Sequence, residues 1–144
     1  MEAPIPSPKT FTVAQADALL LKVIPLIRQL QGLKNSILET NQQLAEVTNK
    51  LAQGNGHPVA SLKKQLEELH QHQVRLIDAF HSSLEQFEAL GCLLKDLETG
   101  LVDFHSKLNG ELVFLCWKLG EKKIGFWHDL ETGFAGRKPL EASS

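Results

Sequence analysis

The chain has 144 residues, 42% of them hydrophobic and 22% charged, the length and composition of one soluble domain rather than of a disordered segment. A formal net charge of −2 with a sequence pI near 6.3 offers no basic face for nucleic acid. No apolar run approaches the roughly 20 residues of a membrane helix, and residues 1–10 lack the basic start and apolar stretch of a secretory signal.

Cytoplasm is therefore the expected compartment. Two cysteines, Cys92 and Cys116, are too few for a disulfide framework. Residues 1–10 carry Pro4, Pro6 and Pro8 and read as a mobile arm, and 141–144 as a short tail. Between them, 11–140 is expected to be a single α+β domain: a long antiparallel two-helix hairpin over 12–91, coiled-coil-like, then a small antiparallel β-meander of three or four strands with a Gly-rich tail over 92–140.

The first helix starts at Thr12, an N-cap residue with Gln15 three positions later to complete a capping box. Val23, Leu30, Ile37, Leu44 and Leu51 recur every seven residues, with Leu26, Leu33 and Val47 at the companion position, so one seam faces a partner helix. Thr40 is a polar interruption. Pro25 removes one backbone hydrogen bond and is expected to bend the helix without breaking it, because the seam stays in phase across it.

Gly54-Asn55-Gly56 ends this helix and His57-Pro58 opens the next. The second helix repeats the pattern with Leu62, Leu66, Leu69, Leu76, Phe80, Phe87 and Leu90, with Gln73 and Ser83 as polar rungs, and stops at Gly91. Ile27, Ile77 and Leu84 widen the apolar stripe beyond what one partner helix covers. A second copy completing a four-helix bundle is the expected source of cover.

After Gly91 the period falls to two. Strands are expected at about 101–105, 111–119 and 124–129, with a further short one within 92–97. The central run Glu111 to Leu119 is largely apolar on both alternating sets and so expects cover on both faces. Asn109-Gly110 is a strong hairpin signal and Gly120-Glu121-Lys122-Lys123 a second turn. With a two-residue first turn, Asp103 faces Cys116, and the second turn sets Cys116 opposite Trp127.

That register puts Val102, Phe104, Val113, Leu115, Trp117, Leu119, Ile124 and Phe126 on one apolar face, with His128 at its edge. The other face collects Asp103, His105, Cys116, Lys118, Trp127 and Asp129 among Leu101, Leu112 and Phe114, and is the candidate site. The ligand-binding candidates are Asp103, Cys116, Trp127, Glu121, His128 and Arg137, with no catalytic residue assigned. A carboxylate beside Cys116 makes its thiolate scarcer, so an inert buried thiol is the first reading. His105 and His128 lack an HxxxH or CxxC companion, so no metal and no cofactor is expected. The tail Gly133-Phe134-Ala135-Gly136-Arg137 reads either as an anion clamp or as an arginine tied to Asp129 or Glu131.

Several fragments together resemble a known family. They are Phe11-Thr12 with Ala14 to Leu20, Lys95-Asp96-Leu97, Gly100-Leu101-Val102-Asp103-Phe104, Leu115-Cys116-Trp117, Leu119-Gly120-Glu121, Gly125-Phe126-Trp127-His128, and Gly133-Phe134 with Gly136-Arg137. In this order they resemble the bacterial family catalogued as domain of unknown function 2203, over essentially the whole folded chain. The chain departs from that pattern at His105, where proline follows Asp-Phe, and at Lys118, where arginine is common. The resemblance implies a small cytoplasmic protein with a helical N-terminal part, and assigns no activity and no residue roles.

Two functions follow from the residues. One is a non-enzymatic oligomeric interaction or scaffold protein, self-associating as a homodimer through its helices, with no nucleic-acid or membrane partner. The other is a small-molecule or anion-binding protein or hydrolase, in which Trp127 stacks, Arg137 supplies charge and a carboxylate acts as base.

Overall fold

A computed structural model describes residues 8–54 and 56–140. The first seven residues of the expected arm and the tail 141–144 lie outside the described residues. The order of elements is helix α1 (Val13–Gln53), helix α2 (Val59–Glu88) and five strands: β1 (Leu93–Asp96), β2 (Leu101–Leu108), β3 (Glu111–Lys118), β4 (Phe126–His128) and β5 (Lys138–Pro139). A 3₁₀ turn at Phe134–Gly136 precedes β5. The fold is α+β, and the sheet is an antiparallel meander in the order β1-β2-β3-β4-β5.

The chain makes two compact units: Arg28–Glu85, and the segments ending at Ile27 and beginning at Gln86. In the first unit the two helices pack against each other. Val47 and Leu62 are buried there, and so are the polar rungs Thr40, Gln73 and Ser83. Thr40 returns its hydroxyl to the Ser36 carbonyl one turn back. Gln73 donates across the seam to the Ile37 carbonyl and to Asn41 Oδ1, so a polar side chain fixes how the two helices align. Both helices continue into the second unit. There α1 runs through Pro25 without a break, as the in-phase seam requires.

In the second unit the expected capping box is present in both directions: Thr12 N–H donates to Gln15 Oε1 at 2.9 Å and Gln15 N–H to Thr12 Oγ1 at 3.1 Å. Phe11 joins this helix start to the sheet. Its N–H donates to the His105 carbonyl, its own carbonyl accepts from the Ser106 hydroxyl, and its ring meets Phe104 edge-on at 5.6 Å. Ala16, Leu20, Val23 and Ile27 of α1 and Phe87 of α2 are buried in the same unit as Val102, Phe104, Leu115 and Trp117 of the sheet. That apolar layer is its core.

The first hairpin has the expected register. Asn109 (φ 54°) and Gly110 (φ 82°) make the two-residue turn, Leu108 pairs with Glu111, and Asp103 with Cys116. The second hairpin does not. Cys116 pairs with Phe126, Leu115 with Trp127 and Phe114 with His128, one residue away from the expected alignment. The cause is a connection of seven residues, 119–125, whose backbone polar groups find partners outside the ladder. Ile124 N–H donates to Asp17 Oδ1 of α1 at 2.6 Å, Trp117 Nε1–H to the Glu121 carbonyl, and Lys118 N–H to Glu121 Oε1.

Because side chains alternate, a one-residue shift reverses the whole of β4. Trp127 moves to the apolar face with Leu115, and Phe126 and His128 move to the mixed face with Cys116. Two further expectations change. The strand expected over 124–129 is only three residues long, and the tail supplies an unforeseen fifth strand, with Pro139 tolerated because β5 lies at the sheet edge.

Candidate functional site

The mixed face is built by three neighbouring strands. β2 brings Asp103 and His105, β3 brings Phe114, Cys116 and Lys118, and β4 brings Phe126 and His128. Residues Val113 to Trp117 of β3 are all buried, so the cover expected on both sides of this strand is present. On the mixed side it comes from the tail. The Arg137 guanidinium carbon lies 3.8 Å from the centre of the Phe126 ring and 4.3 Å from that of Phe134, and Lys118 Nζ lies 5.6 Å from the Phe134 ring. A cleft of about 110 Å³ bounded by Thr99, Leu101, Lys118 and Phe134 opens beside this cover.

Asp103, Cys116 and His128 are each at most 3% exposed. Their donor atoms, a carboxylate oxygen, Sγ and an imidazole nitrogen, all lie within 4.8 Å of one another. His128 Nε2 is 3.1 Å from Asp103 Oδ2, and Nδ1 is 2.7 Å from the Asp129 carbonyl. A carbonyl oxygen only accepts, so Nδ1 carries the hydrogen. Asp103 Oδ1 is buried without a hydrogen-bond partner.

This geometry excludes a cysteine–histidine–aspartate nucleophile relay. In such a relay one ring nitrogen takes the orienting group and the other faces the sulfur; here a backbone carbonyl holds Nδ1 and the carboxylate takes Nε2, so neither nitrogen is left for the sulfur. Burial pushes the Cys116 thiol up to about 11, with the Asp103 carboxylate adding to the shift, so on its own the sulfur stays protonated near neutrality. Burial likewise lowers the His105 imidazole from its ordinary value, partly opposed by Asp103, and its ring lies 4.5 Å from that of Phe114. What the cluster can do is hold a cation among three convergent donors, a role the absence of HxxxH or CxxC spacing argued against. Donors on adjacent strands are brought together by register, which no short motif records.

Of the six candidates, Asp103, Cys116 and His128 converge. Glu121 and Arg137 sit beside them but pair with each other: Arg137 Nη1 and Nη2 donate to Glu121 Oε1 and Oε2 at 3.2 and 2.8 Å. The tail arginine is thus tied down by Glu121 rather than by Asp129 or Glu131. Asp129 spends its carboxylate on Thr132, whose N–H and hydroxyl hold it below its ordinary value. Trp127 is on the opposite face, under the Lys138 ammonium at 5.2 Å. Sequence reasoning overlooked Phe126 and the Asp129 carbonyl as parts of the site; both depend on the β3–β4 register.

The family model described as Uncharacterized conserved protein (DUF2203) matches residues 9–140. The chain belongs to this family. The DUF2203 match spans both helices and every strand, so hairpin and sheet are parts of one family unit. Searches of curated proteins and of solved structures return no match. Among the described residues no helix is long and apolar enough to cross a membrane.

Proposed function

We propose that this DUF2203 chain is a non-enzymatic assembly module, in which the helical unit Arg28–Glu85 pairs with a second copy of itself and the sheet unit is thereby presented in pairs. One observation carries the reading: the heptad seam is left half-covered. Leu33, Ile37, Leu44, Leu66, Leu69 and Leu76 all keep part of their surface in solvent, and Leu38 and Val74 are 51% and 57% exposed. Two helices cover one side of each other, so a seam this wide needs a further layer.

An open groove of about 380 Å³ between the helices, floored by Val47 and Leu69 and edged by Glu46, Lys50, Glu68 and His72, is shaped to take the ridge of another helix. Acidic and basic side chains balance within the unit, so two copies meet without net repulsion. The free thiols Cys92 and Cys116 suit a reducing compartment, which supports the cytoplasm as the place of action.

Light scattering across the micromolar range tests this. The wild-type chain is expected at twice the single-chain mass, and Leu38→Glu with Val74→Glu at the single-chain mass with unchanged helical circular dichroism. Both positions are exposed, so the substitutions spare packing within the hairpin. A wild-type monomer throughout that range would remove the reading.

The alternative, a small-molecule or anion-binding protein or a hydrolase, loses two of its supports, since Arg137 is neutralised by Glu121 and Trp127 faces away. Its remaining support is the convergence of Asp103, Cys116 and His128.

A further inference from the structure

We propose that Asp103, Cys116 and His128 form a binding site for one divalent transition-metal ion of the zinc class. The inference is independent of self-association, because all three residues belong to the sheet unit.

The argument starts from the imidazole. With Nδ1–H committed to the Asp129 carbonyl, the neutral ring turns the Nε2 lone pair toward Asp103 Oδ2, 3.1 Å away. Two lone pairs facing each other at that distance require a positive centre, either a proton or a cation. A proton shared by Nε2 and Oδ2 satisfies those two atoms and leaves Asp103 Oδ1 buried without a hydrogen-bond partner, beside a Cys116 sulfur that the Asp103 and Arg137 side chains reach. A metal ion uses the carboxylate, the imidazole and the sulfur together. A histidine that binds metal through one nitrogen and donates from the other to a backbone carbonyl is the usual arrangement for such a ligand, since that bond fixes both tautomer and ring orientation.

Donor chemistry narrows the ion. A thiolate, a neutral imidazole and a carboxylate suit zinc, cobalt or iron, and the sulfur argues against magnesium and calcium, which take oxygen ligands. Tetrahedral zinc places such donors roughly 3.3 to 3.6 Å apart. The Nε2–Oδ2 pair, at 3.1 Å, would open by a few tenths of an ångström, and the other separations, all within 4.8 Å, would close onto the ion. The donors carry two negative charges once the thiol ionises, which a divalent ion cancels inside a buried site. Three protein ligands leave one position for an exogenous fourth.

The test uses the untagged full-length chain, stripped with a chelator and titrated with Co²⁺ as a spectroscopic probe. The expected result is one equivalent of Co²⁺, with a thiolate-to-metal charge-transfer band that Zn²⁺ bleaches by displacement and Mg²⁺ does not. Cys116→Ser is expected to abolish the band and Cys92→Ser to retain it, while Asp103→Asn weakens binding by about tenfold or more. A folded wild-type chain without the band overturns the proposal by itself, whatever becomes of the variants. So does a band that survives Cys116→Ser, or cobalt uptake only in several weak equivalents at exposed histidines.

Discussion

Arg137 is held by both oxygens of Glu121, at 3.2 and 2.8 Å, while its guanidinium packs between Phe126 and Phe134. The pair fastens the tail over the mixed face of the sheet. Glu121 also accepts from the Lys118 N–H, so one carboxylate ties the tail to the loop after β3.

Breaking that pair should therefore loosen the tail selectively. Arg137→Lys keeps the charge but loses the bidentate fork and the stacking, and is expected to cost roughly 1 to 3 kcal/mol. Glu121→Gln should cost a similar amount, and the double variant less than the sum. Hydrogen exchange followed by mass spectrometry checks this: protection should fall over 126–140 while the helical unit is unchanged.

Gly100 is a position where a side chain has no room. Its φ is 72°, and a Cβ there would lie 2.5 Å from Leu119 Cβ. Its carbonyl accepts from the Leu119 N–H, which keeps the two segments close. Gly100→Ala is expected to destabilise the chain by about 2 kcal/mol or more, combining left-handed backbone strain with overpacking. Urea unfolding should show a lower midpoint at an unchanged slope.

The bond from Ile124 N–H to Asp17 Oδ1 sets where β4 begins. Asp17→Ala leaves that donor without its partner and is expected to cost roughly 1 to 2 kcal/mol, while Asp17→Asn retains an acceptor and costs less. Tryptophan fluorescence provides the readout, since Trp117 and Trp127 both lie next to this connection.

Stability should also fall in alkaline solution through Cys92. Burial raises this thiol from 9.0 to about 11, and the raised value means that the fold favours the protonated form. Its contribution is complete below about pH 9, where the unfolded thiol is also protonated, and is lost as pH rises toward 11; at full extent it is roughly 2 to 3 kcal/mol. Denaturation midpoints measured from pH 8 to 11 should therefore fall less steeply for Cys92→Ala than for the wild type.

What could be read from the sequence was whatever is decided over a few residues. The Thr12–Gln15 capping box, the Asn109-Gly110 turn with its Asp103–Cys116 register, the passage of the first helix through Pro25 and the two-helix hairpin all follow from neighbours constraining neighbours. The alignment of β4 does not. It depends on an aspartate 107 residues earlier in the chain capturing the Ile124 N–H, and on Glu121 folding its carbonyl and carboxylate back onto Trp117 and Lys118. Since alternate residues of a strand face opposite ways, that one-residue difference exchanged Trp127 for His128 on the mixed face. Tertiary structure alone could turn a carboxylate and a thiol paired across one hairpin into a three-donor cluster.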